Sequence, residues 1–171
     1  MKTVTINTYQ FSELSEQAKE KALQGLSTIN VDFEWWNNTY EDAANIGLKL
    51  TSFDLDRNRH ADGAFTLSAA EVAQNILNEH GEGCATYKTA EAFLNDHNPV
   101  FAAYMDEENE LFESYEAEEK LSDIEQDFLV SLLEDYSIIL QNEYEYLISR
   151  KAVIETIEAN EYDFTEDGIL L

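Results

Sequence analysis

The chain opens on strict alternation. In residues 2–10, Val4, Ile6 and Thr8 fall on one side and Thr3, Thr5 and Asn7 on the other, the period-two pattern of a half-buried strand. From Ser15 the period changes. Ala18, Ala22, Leu23 and Leu26 recur at helical spacing behind Ser15, which is placed to act as an N-cap. A second helix is expected from Asp32 to Ile46, carried by Phe33, Trp36, Tyr40, Ala43 and Gly47. Leu48 to Asp56 reads as a strand, Arg57 to Gly63 as a polar turn, and Ala64 to Leu67 as the return strand.

Ser68 and Glu71 have the capping-box spacing ahead of a helix that buries Val72, Ile76 and Leu77 and stops at Gly81. A short helix around Thr89–Asp96 follows, and Pro99 opens a region that reads as two long helices. In the first, Phe101, Tyr104, Met105, Leu111, Phe112 and Tyr115 share a face interrupted by Glu108. The second begins at the Ser122/Glu125 capping box and carries Ile124, Phe128, Leu132, Tyr136, Ile139, Leu140, Tyr144 and Leu147, with Ile154 and Ile157 as an extension. An unbroken helix of about 35 residues is long for a globular domain, which leaves room for a kink near Glu143–Arg150. The end, Tyr162 to Leu170, reads as a strand with a turn at Asp167-Gly168, expected to pair near the N-terminal strand. The fold expected is α+β and mostly helical, with a small antiparallel sheet from the N-terminal, central (48–67) and C-terminal strands and two long acidic helices. It forms one domain over 1–171: a mixed part to residue 99, acidic helices over 100–160 and the terminal strand over 161–171.

Composition changes this picture at one point, charge. The chain carries 36 acids against 10 Lys and Arg, a net charge of −26. Such self-repulsion works against compaction, and disorder is the first alternative. A hydrophobic fraction of 44% with 12% aromatic residues argues against it, since disordered acidic chains are poor in both. Phosphates repel this surface, which excludes direct binding to nucleic acid or to an anionic membrane. Cys84 is the single cysteine, so there is no internal disulfide, in keeping with a reducing compartment. No signal-peptide pattern and no long apolar run occurs, and the expected location is the bacterial cytoplasm.

The acids are unevenly placed: residues 101–171 hold 21 of them and only Lys120, Arg150 and Lys151 as bases. Eight of the fourteen residues from Asp106 to Glu119 are acidic and none is basic. Like charges four apart destabilise a helix by about 0.2–0.5 kcal/mol per pair, and the chain tolerates several. A halophilic bias would spread along the chain. The candidate partner-binding residues are Asp106, Glu107, Glu108, Glu110, Glu113, Glu116, Glu118, Glu119, Asp123 and Asp127. Counted along the helix axis, the acids from Asp106 to Asp127 come at one per about 3 Å, close to the ~3.4 Å charge repeat of one DNA strand. The plain alternative is a solvated face that aids solubility.

Other chemistry is poorly supported. Asp54-Leu55-Asp56-Arg57-Asn58 begins like a calcium loop, but Arg59 stands where glycine is needed and Phe65 where glutamate is needed; a frame from Asn58 places Gly63 correctly and ends on Ala69. His60, His80 and His97 lack metal-ligand spacing and read as loop or helix-end residues. Cys84 has no basic neighbour to lower its pKa and reads as a buried or idle thiol. No phosphate-binding glycine loop and no Ser-His-Asp order is present, and carboxylate pairs are too abundant to mark acid/base catalysis. Neither a cofactor nor a metal is expected, nor an enzyme. Of Trp35 and Trp36, one is expected in the core and the other against a neighbouring element.

Three segments carry a resemblance. Phe11-Ser12-Glu13-Leu14-Ser15 with Ala18, Lys19, Lys21 and Ala22, then Trp35-Trp36-Asn37-Asn38-Thr39-Tyr40-Glu41-Asp42, and finally Ala159 to Gly168 resemble a loose, largely uncharacterised family of small phage and prophage proteins. His60-Ala61-Asp62-Gly63-Ala64-Phe65 matches that family's Q-G-D-G-A-x-F stretch only in part. The resemblance implies phage origin; by analogy with other small acidic phage proteins it implies inhibition of host defence (anti-CRISPR or anti-restriction) by an acidic, DNA-mimicking surface against a basic nucleic-acid-binding protein. The alternative is an acidic interaction or assembly protein that binds a basic partner without mimicry.

The charge generates a first prediction. Screening relieves repulsion between exposed carboxylates, so the melting temperature is expected to rise between low salt and about 0.5 M NaCl, with Mg²⁺ or Ca²⁺ acting as screening ions. Scanning calorimetry across a salt series checks the slope, and calorimetric titration with Ca²⁺ checks for a stoichiometric site.

Overall fold

Ser15 starts the first helix, as its position predicts. The computed structural model describes residues 7–104 and 114–171. Their elements are, in order, β1 (Tyr9–Gln10), α1 (Glu16–Gly25), α2 (Asn37–Ile46), β2 (Leu48–Asp54), β3 (His60–Phe65), α3 (Ala69–Glu79), α4 (Ala85–Tyr104), α5 (Ser114–Leu147), α6 (Arg150–Ala159) and β4 (Asp163–Phe164). The Ser15 hydroxyl accepts the Ala18 N–H at 3.2 Å. Ser68 and Glu71 close the capping box at α3, and the two hydrogen bonds from Ser68 hold the Glu71 carboxyl below its usual range. The fold is α+β and mostly helical.

The chain divides into two compact units. One contains the residues up to Trp35 together with Asn142–Leu171. Its terminal strands pair antiparallel, Tyr9 opposite Phe164 and Gln10 opposite Asp163. Phe164, fully buried, sits among Phe11, Leu14, Ala22 and Ile157. Trp35 is buried with its ring 5.7 Å from that of Tyr144. The Asn30 amide donates to the Leu147 carbonyl at 3.0 Å and accepts from the Thr156 hydroxyl at 2.7 Å. Gly168 turns the last segment with a φ of +79°, directly over the Ala18 carbonyl.

The second unit is Trp36–Gln141. Gly47 ends α2 in the left-handed region at φ +95° and launches the β2–β3 hairpin. Ile46, Leu48, Val72, Ile76, Leu132 and Tyr136 have no exposed surface and form its core. Trp36 packs edge-on against Phe53, so the two tryptophans divide between core and neighbouring element as expected.

Several expectations are corrected. The strands form two separate two-stranded sheets, β1–β4 and β2–β3, instead of one. The helix expected from Asp32 begins at Asn37, and Phe33 is 65% exposed outside it. The return strand starts at His60, because the hairpin turn is shorter than the polar run. The short helix around Thr89–Asp96 is a 20-residue helix that contains Pro99. Proline removes one helical donor, and the carbonyl left over belongs to Asn95, an exposed residue that water reaches. Ser122 does not start a helix: it lies inside α5, which begins eight residues earlier with Ala117 fully buried. The helix does break where a kink was anticipated, at Ile148-Ser149, and Ser149 caps α6. Phe101 and Ile139, expected on the apolar stripe, are 45% and 37% exposed. Val4, Ile6, Met105, Glu108, Leu111 and Phe112 lie outside the described residues.

The close approach at Gly168 is testable. A Cβ there would stand 2.1 Å from the Ala18 oxygen. Gly168→Ala is therefore expected to lower the unfolding free energy by more than about 2 kcal/mol. Gly25→Ala, where nothing lies within 4 Å, is expected to be neutral or stabilising by up to about 1 kcal/mol. Urea unfolding of the two variants measures the difference.

Candidate partner-binding surface

The acidic segment enters the described structure at the start of α5. Asp106, Glu107, Glu108, Glu110 and Glu113 lie outside the described residues. Glu116, Glu118, Glu119, Asp123 and Asp127 are on α5, all exposed. Helical geometry sorts them. At 100° per residue, Glu116, Glu119, Asp123 and Asp127 fall within an arc of about 80°, with Asp127 at the edge nearest Ile124, about 60° from it. Glu118 lies about 140° or more from Glu116, Asp123 and Asp127 and does not join them. The four that share a face advance about 16 Å, in steps of about 5.5 Å. This is wider than the repeat obtained by counting every acid regardless of face.

Beside this face α4 and α5 meet through aromatic rings. Phe93 and Phe128 stack with centroids 4.2 Å apart at 15°, and Phe65 lies 5.3 Å beyond Phe128. Between the two helices a cleft of about 250 Å³ remains. Its floor is Phe93, Ile124 and Phe128; Ala92 and Asp96 stand on the α4 wall, Asp127 and Ser131 on the α5 wall. Among the described residues, no basic one lines it. Phe93 and Phe128 are almost fully buried, whereas Asp96 and Asp127 are exposed.

Thr89 also lines the cleft, and its hydroxyl donates to Asp135 at 2.7 Å. Burial pushes the Asp135 carboxyl above its ordinary range; the Thr89 bond opposes this and the nearby Glu134 charge adds to it. Glu134 itself receives the Arg59 guanidinium, which also donates to Ser137 and Gln141 at 3.1 Å each. Arg59 thereby fastens the hairpin to α5.

A second polar chain crosses the core of this unit. The Tyr136 hydroxyl donates to Asp42 at 2.8 Å, and burial, reinforced by that bond, raises its pKa far above the usual phenol range. The other Asp42 oxygen lies 3.6 Å from His80 Nε2, too far for a hydrogen bond, and His80 Nδ1 is 2.7 Å from the Thr86 hydroxyl. The order Thr-His-Asp is that of a hydrolytic triad, but Thr86 is only 2% exposed and its hydroxyl cannot meet a substrate. The Tyr136–Asp42 bond ties α5 to α2, and the Thr86–His80 pair ties α4 to the end of α3.

His80 caps α3 and His60 opens β3, whereas His97, expected in a loop or at a helix end, is buried inside α4 between Phe93 and Phe101. Cys84 is exposed. Among the described residues, no three His, Cys, Asp or Glu side chains converge to hold a metal, and no helix is long and apolar enough to cross a membrane.

Reading the sequence missed Asp96, Ala92 and the aromatic floor, because it ended the helix at Asp96. The i, i+4, i+8 spacing of Phe93, His97 and Phe101 was the available sign that the helix continues. No family model, curated protein or solved structure matches the chain.

Asp135 supplies a pH test. Its folded pKa is raised, so ionisation costs more in the folded than in the unfolded chain, and stability falls as pH rises through the carboxylate range. Asp135→Asn keeps an oxygen for Thr89 and removes that cost. Its melting temperature is expected to exceed wild type at pH 7, with the gain vanishing below about pH 3, where both states are protonated. Thermal melts at a series of pH values check this.

Proposed function

We propose that this protein is a phage- or mobile-element-encoded inhibitor of a host nucleic-acid-binding defence protein, such as a CRISPR effector or a restriction enzyme, and that it acts inside the bacterial cell by binding, without catalysis. The observation that carries the reading is the exposed face of Glu116, Glu119, Asp123 and Asp127 on α5, in a chain of charge −26. A groove that binds nucleic acid is lined with Lys and Arg. An acidic helix entering it gains charge-assisted contacts, and long-range attraction speeds the encounter. Once seated, its carboxylates and its volume keep DNA out. Exclusion of this kind needs field and bulk; it does not need the phosphate repeat.

A second reading, an acidic interaction or assembly protein of a basic partner with no mimicry, draws support from the step of about 5.5 Å along the face, wider than the ~3.4 Å of one DNA strand. Competition separates the two. The partner is captured from host lysate, and a labelled DNA duplex competes for it at one fixed salt concentration. Neutralising the face (Glu116→Gln, Glu119→Gln, Asp123→Asn) is expected to weaken competition at least about tenfold. Neutralising three other exposed acids (Glu158→Gln, Glu161→Gln, Glu166→Gln) is expected to cost less than about threefold. Equal losses would mean that net charge alone drives binding. Binding without competition would leave the second reading in place of the first.

A further inference from the structure

We infer that the cleft between α4 and α5 is a receptor for one arginine side chain of the basic partner. This rests on the reading above and deepens it, naming the group that anchors the contact. The argument is one of charge and shape together. Glu116, Glu119 and Asp123 of the α5 face stand on a convex surface, and each offers a partner only a solvated, weak ion pair. In the cleft the surroundings differ. Two walls carry one carboxylate each, Asp96 and Asp127, above a floor of Phe93, Ile124 and Phe128. A ligand there must be apolar along its length and cationic at its tip.

Arginine meets both conditions better than lysine. Its methylene stem can lie on the apolar floor, as long charged side chains do on apolar surface. Its guanidinium is planar, weakly hydrated and suited to aromatic neighbours, and its fork of donors can reach two carboxylates at once. An ammonium is compact and strongly hydrated, and would lose more on leaving water. The volume of about 250 Å³ is open to solvent along the rim, where Ala92, Asp96, Asp127 and Ser131 are all exposed. Among the described residues no cation lines the cleft, so its two carboxylates leave a site that a partner's charge can complete.

The test uses the full chain and a blocked Gly-Arg-Gly tripeptide as probe, followed by amide chemical shifts at physiological salt. Saturable shifts confined to the α4 and α5 walls around Ala92, Asp96, Asp127 and Ser131 are expected, with Gly-Lys-Gly at least about fivefold weaker. Ala92→Leu fills the cleft and changes no charge; it is expected to weaken the arginine probe at least about tenfold. Ser131→Leu does the same from the other wall, should Ala92→Leu fail to fold. Asp96→Asn with Asp127→Asn is expected to abolish binding, whereas Glu116→Gln with Glu119→Gln, which removes the same charge outside the cleft, should change it less than about twofold. Shifts scattered over every acidic face, equal affinity for the two peptides, or wild-type binding by both cleft-filling variants would overturn the proposal. The partner assay keeps the two readings apart. If Ala92→Leu and Ser131→Leu compete with DNA as well as wild type does, the cleft is not the anchor and the inhibitor reading stands. If the arginine probe behaves as expected and the captured partner shows no competition, the cleft stands and the inhibitor reading falls.

Discussion

Carboxylates repel one another over a screening length of about 8 Å in physiological salt, and at −26 this repulsion sets the condition that the rest of the molecule meets. Charge has to remain at the solvent while uncharged side chains do the packing. Each of the two compact units answers with its own apolar cluster, around Phe164 and Ile157 in one and around Ile46, Leu48 and Leu132 in the other. Two of the cations hold acids in place. Arg59 donates to Glu134, Ser137 and Gln141 together, and Arg150 pairs with Glu20 at 2.5 Å.

Two carboxylates beside the packed helices are met by hydroxyls. Tyr136 donates to Asp42 and Thr89 to Asp135. A neutral donor lowers the cost of burying charge without adding a lysine stem to the core. Aromatic rings do the complementary work. The Phe93–Phe128 stack joins α4 to α5, and above it a cleft remains between the walls that carry Asp96 and Asp127. The same packing that supports the acidic helix therefore shapes the concave feature beside it. A rigid floor matters for recognition, because a partner then spends less ordering entropy on binding.

Much of the local structure was legible in the chain. Ser15, Ser68 and Gly47 mark helix ends by chemistry acting within a few residues, and all three sit where their side chains or φ values require. The failures are local signals overruled by the rest of the chain. Ser122 and Glu125 have a capping spacing, yet Ala117 is buried one turn before and holds the helix intact. Pro99 is a breaker by propensity, yet the aromatic row Phe93, His97, Phe101 stacks on both sides of it. Phe33 has the right period for a helical stripe and stays outside the helix.

The sequence by itself determined the charge, its concentration after residue 100, the apolar content that allows a core, and the capping chemistry, because each is a sum over residues or an interaction within one helical turn. Only the tertiary structure decided which acids share a face, since a one-dimensional count merges Glu118 with Glu116 although the helix turns them apart. Only it decided that Tyr9 pairs with Phe164 and that Asp96 and Asp127 line one cleft with Phe93 and Phe128. Those are contacts between residues far apart in the chain, formed when loop-closure entropy is outweighed by packing, and no local pattern encodes the partner on the other side.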